Sequence, residues 1–414
     1  MSTHLHEDRA VLRALAAEYA LAAADEHNPA TLALHRASND LKPIRPVVLI
    51  DEEPWNQIQA ADEFMRIRCT DDYLRGVEWH LRQQLYRWKH YRADMVLRPF
   101  FSVRKVVHRG GIGISVEENT LSVDTGNHII SHEYHDQLST PEALERLHAP
   151  EVTYDEAETK RRLQLAGDIF GDILPVRIEG IAMGYVAMWD DISTYRGVGP
   201  LLTDLVDDPD HAHACVAKLT DIFLETLKRY EGLDLLGFNP GLVHCTPSTV
   251  SALPSPGYDG QHVRPCDLWG RGMAQIFASV SPAMHEEFDI DYMKKAMAPF
   301  GLVYYGCCEP LDRKLAIVEK LPNLRKVGCT PWANVDVMAE QVGKRYVLSV
   351  KPNPANVVAF DEAVVRAELK RIVAAIRRNG CAADITLKDI STVSHKPESL
   401  ARWADIAMEE AQSI

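Results

Sequence analysis

The stretch from 301 to 355, GLVYYGCCEPLDRKLAIVEKLPNLRKVGCTPWANVDVMAEQVGKRYVLSVKPNPA, decides the fold class. Three short apolar runs, at 301–306, 325–330 and 346–351, each end in a turn of Cys, Pro, Gly or Asn, and helical spacing fills the segments between them. Runs of that length alternating with amphipathic helices are the pattern of parallel strands joined by helical crossovers. Working outward, further runs lie near 94–101, 175–181, 235–244, 262–268 and 384–390, which makes eight in all. Helix punctuation agrees: Asp208 with Pro209 opens 208–230, Ser281 with Pro282 opens 281–298, and Gly380 closes 361–379. The expectation is an α/β protein with a (β/α)8 TIM barrel, its active site at the carboxyl ends of the strands.

Two regions fall outside a minimal barrel. Residues 8–36 carry Leu12, Leu15, Ala16, Tyr19, Ala20 and Ala23 at helical steps, and 71–92 carry Leu74, Val77, Leu81, Leu85 and Trp88. Residues 1–93 are therefore expected to form a helical N-terminal extension packed on a barrel at 94–414. The alternating segment VVHRGGIGISVEENTLSVDTG reads as a hairpin, and with the charged piece that follows it makes 104–165 an insertion after the first strand.

Composition narrows the partners. The 414 residues carry 45 Lys plus Arg against 59 Asp plus Glu, a net charge of −14 that repels phosphate backbones and anionic lipid. Nucleic acid and membrane are not expected as partners, and without a signal-like start or a long apolar stretch the chain reads as cytoplasmic. Eight Cys without a CxxC do not suit a disulfide scaffold; they are metal ligands or buried thiols. GGIGI at 110–114 lacks the spacing and the strand–helix context of a phosphate loop, and no GxxxxGK[ST], GxSxG or HExxH occurs.

Polar residues directly after a strand are the first candidates for chemistry on a barrel. They are Glu179 after PVRIE; Asn239, His244 and Cys245 in LLGFNPGLVHCTP; Asp267, Trp269 and Arg271 in PCDLWGRGMAQ; Tyr305, Cys307, Cys308 and Glu309 in VYYGCCEP; Lys351 and Asn353 in VLSVKPNP; and Lys388 with Asp389 in ITLKDIS. Thiolate, imidazole and carboxylate are the ligand types of Zn²⁺, so Cys307, Cys308, Glu309 and His244 form a candidate metal set, unless the two Cys only pack as small hydrophobes. Lys351 and Asp389 either contact substrate or form a structural ion pair between neighbouring strand ends. Asp267 beside Trp269 is either an acid next to an aromatic wall or a helix cap.

The runs PVRIEGIAMGYVAMWDDISTYRG, DLWGRGMAQIFASVSPAMHEEF and GLVYYGCCEP through SVKPNPA resemble, in order and spacing over about 94–414, the uroporphyrinogen decarboxylase superfamily. That superfamily has a (β/α)8 barrel and includes decarboxylases and corrinoid-dependent methyltransferases. An RQAGR-like N-terminal motif of the decarboxylases is missing. The HxC of the zinc methyltransferases is matched only by Cys308, because Gly306 stands where its His would be. YGCCEP, KPNP and LKDI together resemble the O-demethylase-like branch.

The resemblance implies a methyltransferase that moves a methyl group from a small O-methyl or N-methyl compound to a corrinoid (cobalamin-type) carried by a separate protein. Zn²⁺ would be held by His244, Cys307, Cys308 and Glu309. Glu179, Asp267, Lys351 and Asp389 would be the catalytic groups, and Asn239, Trp269, Arg271, Tyr305, Asn353 and Lys388 would bind substrate. The competing expectation is a cofactor-free decarboxylase of another carboxylated substrate, using Lys351 and Arg271. Self-association stays open.

Overall fold

A computed structural model describes residues 3–122, 130–238 and 241–413. Seven parallel strands form its central sheet: β1 Val47–Ile50, β4 Met183–Val186, β5 Trp269–Gly272, β6 Leu302–Tyr305, β7 Leu324–Cys329, β8 Val347–Val350 and β9 Ala382–Leu387. Their spatial order is β1-β9-β8-β7-β6-β5-β4. A separate parallel pair joins β2 Phe101–Arg104 to β3 Val176–Glu179, with Phe101 opposite Val176. The chain leaves β3 for β4 through Ile181, which bridges Leu236. Among the described residues no ladder joins β1 to β2, so the sheet is a large parallel one without a hydrogen-bonded closure.

The free edge of β1 is satisfied differently. Val48 N donates to Asp94 Oδ2 at 2.8 Å, Asp94 N donates to Val48 O, and Arg45 grips the same carboxylate with both terminal nitrogens at 2.7 Å. A buried strand edge left without partners would be costly, and the 93–95 turn removes that cost without a neighbouring strand.

β6 to β9 lie where the apolar runs predict them and are buried, apart from the partly exposed Leu324 and Arg325 that open β7. Four expectations change, the first being that the strand expected near 94–101 begins only at Phe101, as β2. The N-terminal region is helical, with α1 Thr3–Ala23, α2 His27–Asn39 and α3 Asp72–Tyr91, but it also supplies β1, which pairs with β9. The expected strand at 262–268 is instead a turn at Pro265–Asp267, and β5 starts two residues later. The run at 235–244 contributes, among the described residues, isolated bridges from Leu236 to Ile181 and from Leu242 to Pro247. Within the insertion the short strands Glu118–Leu121 and Ser131–Tyr134 form an antiparallel hairpin, while Val107–Arg109 pairs with Val152–Tyr154.

Crossover helices cover the sheet: α4 Glu156–Phe170, α5 Pro209–Gly232, α6 Val335–Val342, α7 Glu362–Asn379 and α8 Glu398–Gln412. Asp71, Asp208 and Asp361 cap α3, α5 and α7 by accepting backbone N–H groups, and Gly380 ends α7 at φ 62°. The expected helix at 281–298 forms with a π-turn at Glu286–Ile290 in its middle. No helix of the described residues is long and apolar enough to cross a membrane.

Candidate functional site at the carboxyl ends of the strands

Two polar layers lie one above the other at this end of the sheet. The lower is buried and centred on Asp384 of β9. Its carboxylate accepts from Ser349 Oγ and Thr246 Oγ1, both at 2.6 Å, and lies 3.3 Å from Lys326 Nζ and 3.7 Å from Lys351 Nζ. Lys326 also donates to Thr246 Oγ1 and Pro247 O, and Lys351 to Ser349 Oγ and Cys245 O. Burial pulls Lys326 down to about 8 against the attraction of Asp384, and burial likewise opposes ionisation of Asp384, which Lys326 and Lys351 nevertheless hold below the usual carboxylate range. Every charge in this layer has partners, as burial in a low dielectric demands.

The upper layer is the rim. Cys245 Sγ lies 3.2 Å from Glu52 Oε1, His244 Nε2 3.5 Å from Cys307 Sγ, and Cys307 Sγ 3.8 Å from Cys308 Sγ. Cys308 Sγ is 3.7 Å from Asp389 Oδ2, which Lys388 Nζ meets at 2.5 Å; that ammonium is also 3.4 Å from Glu52 Oε2 and 3.8 Å from Cys307 Sγ. One donor atom each from Glu52, His244 and Cys245 lie within 4.8 Å of one another, a set that could hold a metal ion. Carboxylate, imidazole and thiolate fit a borderline-soft divalent ion such as Zn²⁺, and three protein ligands leave a position open.

Four of the ten left-handed non-glycine residues described lie in the rim. Glu52 (φ 58°), His244 (φ 43°), Cys245 (φ 59°) and Asp389 (φ 55°) are all left-handed without being glycine. Each such residue costs about 1–2 kcal/mol, and these four come together from three separate segments. Gly306, at φ 101°, makes the sharp turn out of β6 that delivers Cys307; a Cβ there would also press on Leu311.

Charge is distributed unevenly over the thiols. The bond from the Cys308 thiol, then that from His244 and the fields of Arg271 and Lys388, hold Cys307 well below an ordinary thiol, against its burial. Donating that bond pushes Cys308 up, and burial adds to it. Burial also raises Cys245, with Asp51 adding to it. Burial opposes the Lys388 charge, yet Cys307, Asp389 and Glu52 raise this ammonium above its normal range.

Other residues singled out from the sequence lie elsewhere. Glu309 accepts from Ala274 N at 3.1 Å and Cys307 N at 2.9 Å, so it buttresses the turn, and it is not among the three residues whose donor atoms converge. Asp267 sits before β5, at the opposite end of the sheet, accepting from Ser255 N and from Arg264; it is a cap and not an acid of the site. Trp269, the first residue of β5, is likewise far below the rim, its Nε1 donating to Ser248 O.

Tyr305 points away, its hydroxyl held by Asp289 of the π-turn at 2.6 Å and by His285 just before it at 2.7 Å. Arg271 is fully buried over the Tyr304 ring, at 4.4 Å, beneath Cys307. Asn353 caps its own turn through Ala355 N and lines a cavity of about 380 Å³ beside Lys351. Glu179, at the end of β3, lines a different cavity, described below. Asn239 lies outside the described residues. Lys351 pairs with Asp384 and not with Asp389, which has Lys388 instead.

Sequence reading missed Glu52. Its signal was present: VVLIDEE, 47–53, is an apolar run ending in acids, the same grammar as ITLKD. The long helical patterns on both sides assign that segment to the extension.

No family model matches the chain, and no curated protein matches it. Among solved structures, a methyltransferase from Methanosarcina mazei is similar with a TM-score of 0.49 and 13% identity, the match covering 92% of this chain and 97% of that one.

Proposed function

We propose that this chain is a methyltransferase that passes a methyl group from a small O-methyl or N-methyl compound to a corrinoid carried by a separate protein. The convergence of Glu52, His244 and Cys245 on one point carries the reading. The resemblance of YGCCEP, KPNP and LKDI to the O-demethylase-like branch adds to it, and Cys307, Cys308, Lys388 and Asp389 of those motifs border the same point.

A Zn²⁺ ion held by Glu52, His244 and Cys245 would supply Lewis acidity toward the heteroatom that loses the methyl group. The chain's own groups do the rest. Lys388, charged and pinned between Asp389 and Glu52, stabilises negative charge on the departing heteroatom. The left-handed turns fix the donors in advance, so little reorganisation is left for the reaction. Lys351 and Asp384 support the floor under Cys245 and do not reach substrate.

The test is metal analysis of protein purified without chelator, joined to an assay of methyl transfer to cob(I)alamin over methoxyaromatics and methylamines. Stoichiometric zinc and transfer that both fall in Glu52→Gln and His244→Ala support the reading. Transfer that survives in metal-free protein contradicts the metal, and release of CO₂ from a carboxylated substrate without methyl transfer contradicts the function.

A further inference from the structure

The place where β1 and β2 would pair to close a ring is occupied by a cavity of about 640 Å³, roofed by α3. Leu49 and Ile50 of β1, Phe101 of β2 and Val77 and Leu81 of α3 give it apolar walls. Against a chain charge of −14 its polar lining has the opposite sign: four arginines, at 87, 98, 104 and 162, face one carboxylate, Glu179.

Two of the four arginines are neutralised in place. Arg87 pairs with Glu53 and Asp51, and Arg162 donates to Glu158 at 2.7 Å. The other two are not. Arg98 has no ion pair among the described residues; its only side-chain bond is a 3.3 Å contact with Thr249 Oγ1, and its Nε is buried without a partner. Arg104 has no side-chain hydrogen bond or ion pair among the described residues. His80 of α3 lines the cavity with it.

A half-buried guanidinium with an orphaned nitrogen is unfavourable unless something else completes it. A pocket of this size, mostly apolar with a few aimed polar groups, has the build of a small-molecule site. We infer that this cavity binds an amphipathic organic anion, an apolar or aromatic body bearing carboxylate, whose charge is taken by Arg98 and Arg104 flanking β2. Guanidinium forks match carboxylate geometry, and the walls supply the apolar contact. The inference does not depend on methyl transfer, since it concerns a cavity apart from the thiol rim.

The experiment is calorimetric titration of the full chain with benzoate and 2-naphthoate, each against its neutral amide. Saturable binding of at least one carboxylate is expected, at least about 10-fold tighter than its amide, and weakened about 10-fold or more in Arg104→Gln, whose exposed side chain has no hydrogen bond or ion pair among the described residues. Arg98→Met should lose binding as well while its unliganded melting temperature holds or rises, because an uncompensated charge is removed. Absence of saturable binding, equal binding of acid and amide, or full affinity in both variants would overturn the proposal. So would strong destabilisation by Arg98→Met, which would make Arg98 a structural cation.

Discussion

The floor and the rim of the site are built from the same kinds of residue and obey opposite rules. Around Asp384 every charge is buried and answered, with two lysines, a serine and a threonine on one carboxylate. A few ångströms above, Glu52, His244, Cys245 and Asp389 hold left-handed backbones and present a carboxylate, an imidazole and thiols to one another. Burial with full pairing is how a fold tolerates charge; strain with open donors is what it tolerates for chemistry. Charged residues at strand ends are therefore not one class, and Lys351 and Asp389, nearly equal candidates in sequence, fall on different sides.

The sharpest way to break this comparison is to remove one carboxylate from each layer. Asp384→Asn leaves two buried lysines without a counter-charge and is expected to cost about 3–5 kcal/mol in urea unfolding. Asp389→Asn, at a half-exposed position, should change stability by less than about 1 kcal/mol yet lower methyl transfer per folded molecule by freeing Lys388. Equal stability losses would merge the two layers into one structural network.

What could be read from the sequence divides in a similar way. β6 and β8 were legible as short, mainly apolar runs buried along their length, β7 and β9 from the apolar residues around Lys326 and Asp384, and the thiol turn from its unusual residues. β4 and β5 were not. MGYV and WGRG carry glycines at 184 and 270, where a Cβ would run into the Phe300 ring, so these strands are set by close packing and not by apolar side chains of their own. β1 is four residues between helical patterns, and with it went Glu52. Asp267 was misplaced because the strand after it begins later than the apolar count suggested.

A milder contrast concerns pH. His35 of α2 borders the floor, buried with its Nε2 at 2.9 Å from Asp94 O, and burial lowers it to about 4 from 6.5. Its folded pKa is below the unfolded one, so the unfolded chain binds more protons between those values and stability falls as pH drops from 6.5 toward 4. The slope from this residue reaches up to about 1.4 kcal/mol per pH unit, and His35→Gln should flatten the profile of thermal unfolding over that window. An unchanged profile would place the acid sensitivity elsewhere.

A smaller effect is expected at the far end of the sheet. Asp267→Asn loosens the turn held by Arg264 and Ser255 and should lower the melting temperature modestly, with methyl transfer per folded molecule unchanged. A loss of transfer beyond the loss of folded protein would return Asp267 to the site.

The most direct measurement of the rim as a metal centre is loading with cobalt(II), read by the near-ultraviolet charge-transfer band of a cobalt–thiolate bond. The wild-type chain is expected to take up the ion stoichiometrically and show the band, Cys245→Ser to lose it, and Cys307→Ser and Cys308→Ser to keep it, since Cys245 shares its donor group with Glu52 and His244. A band that survives in Cys245→Ser and vanishes with Cys307 or Cys308, or no stoichiometric uptake at all, would contradict the account.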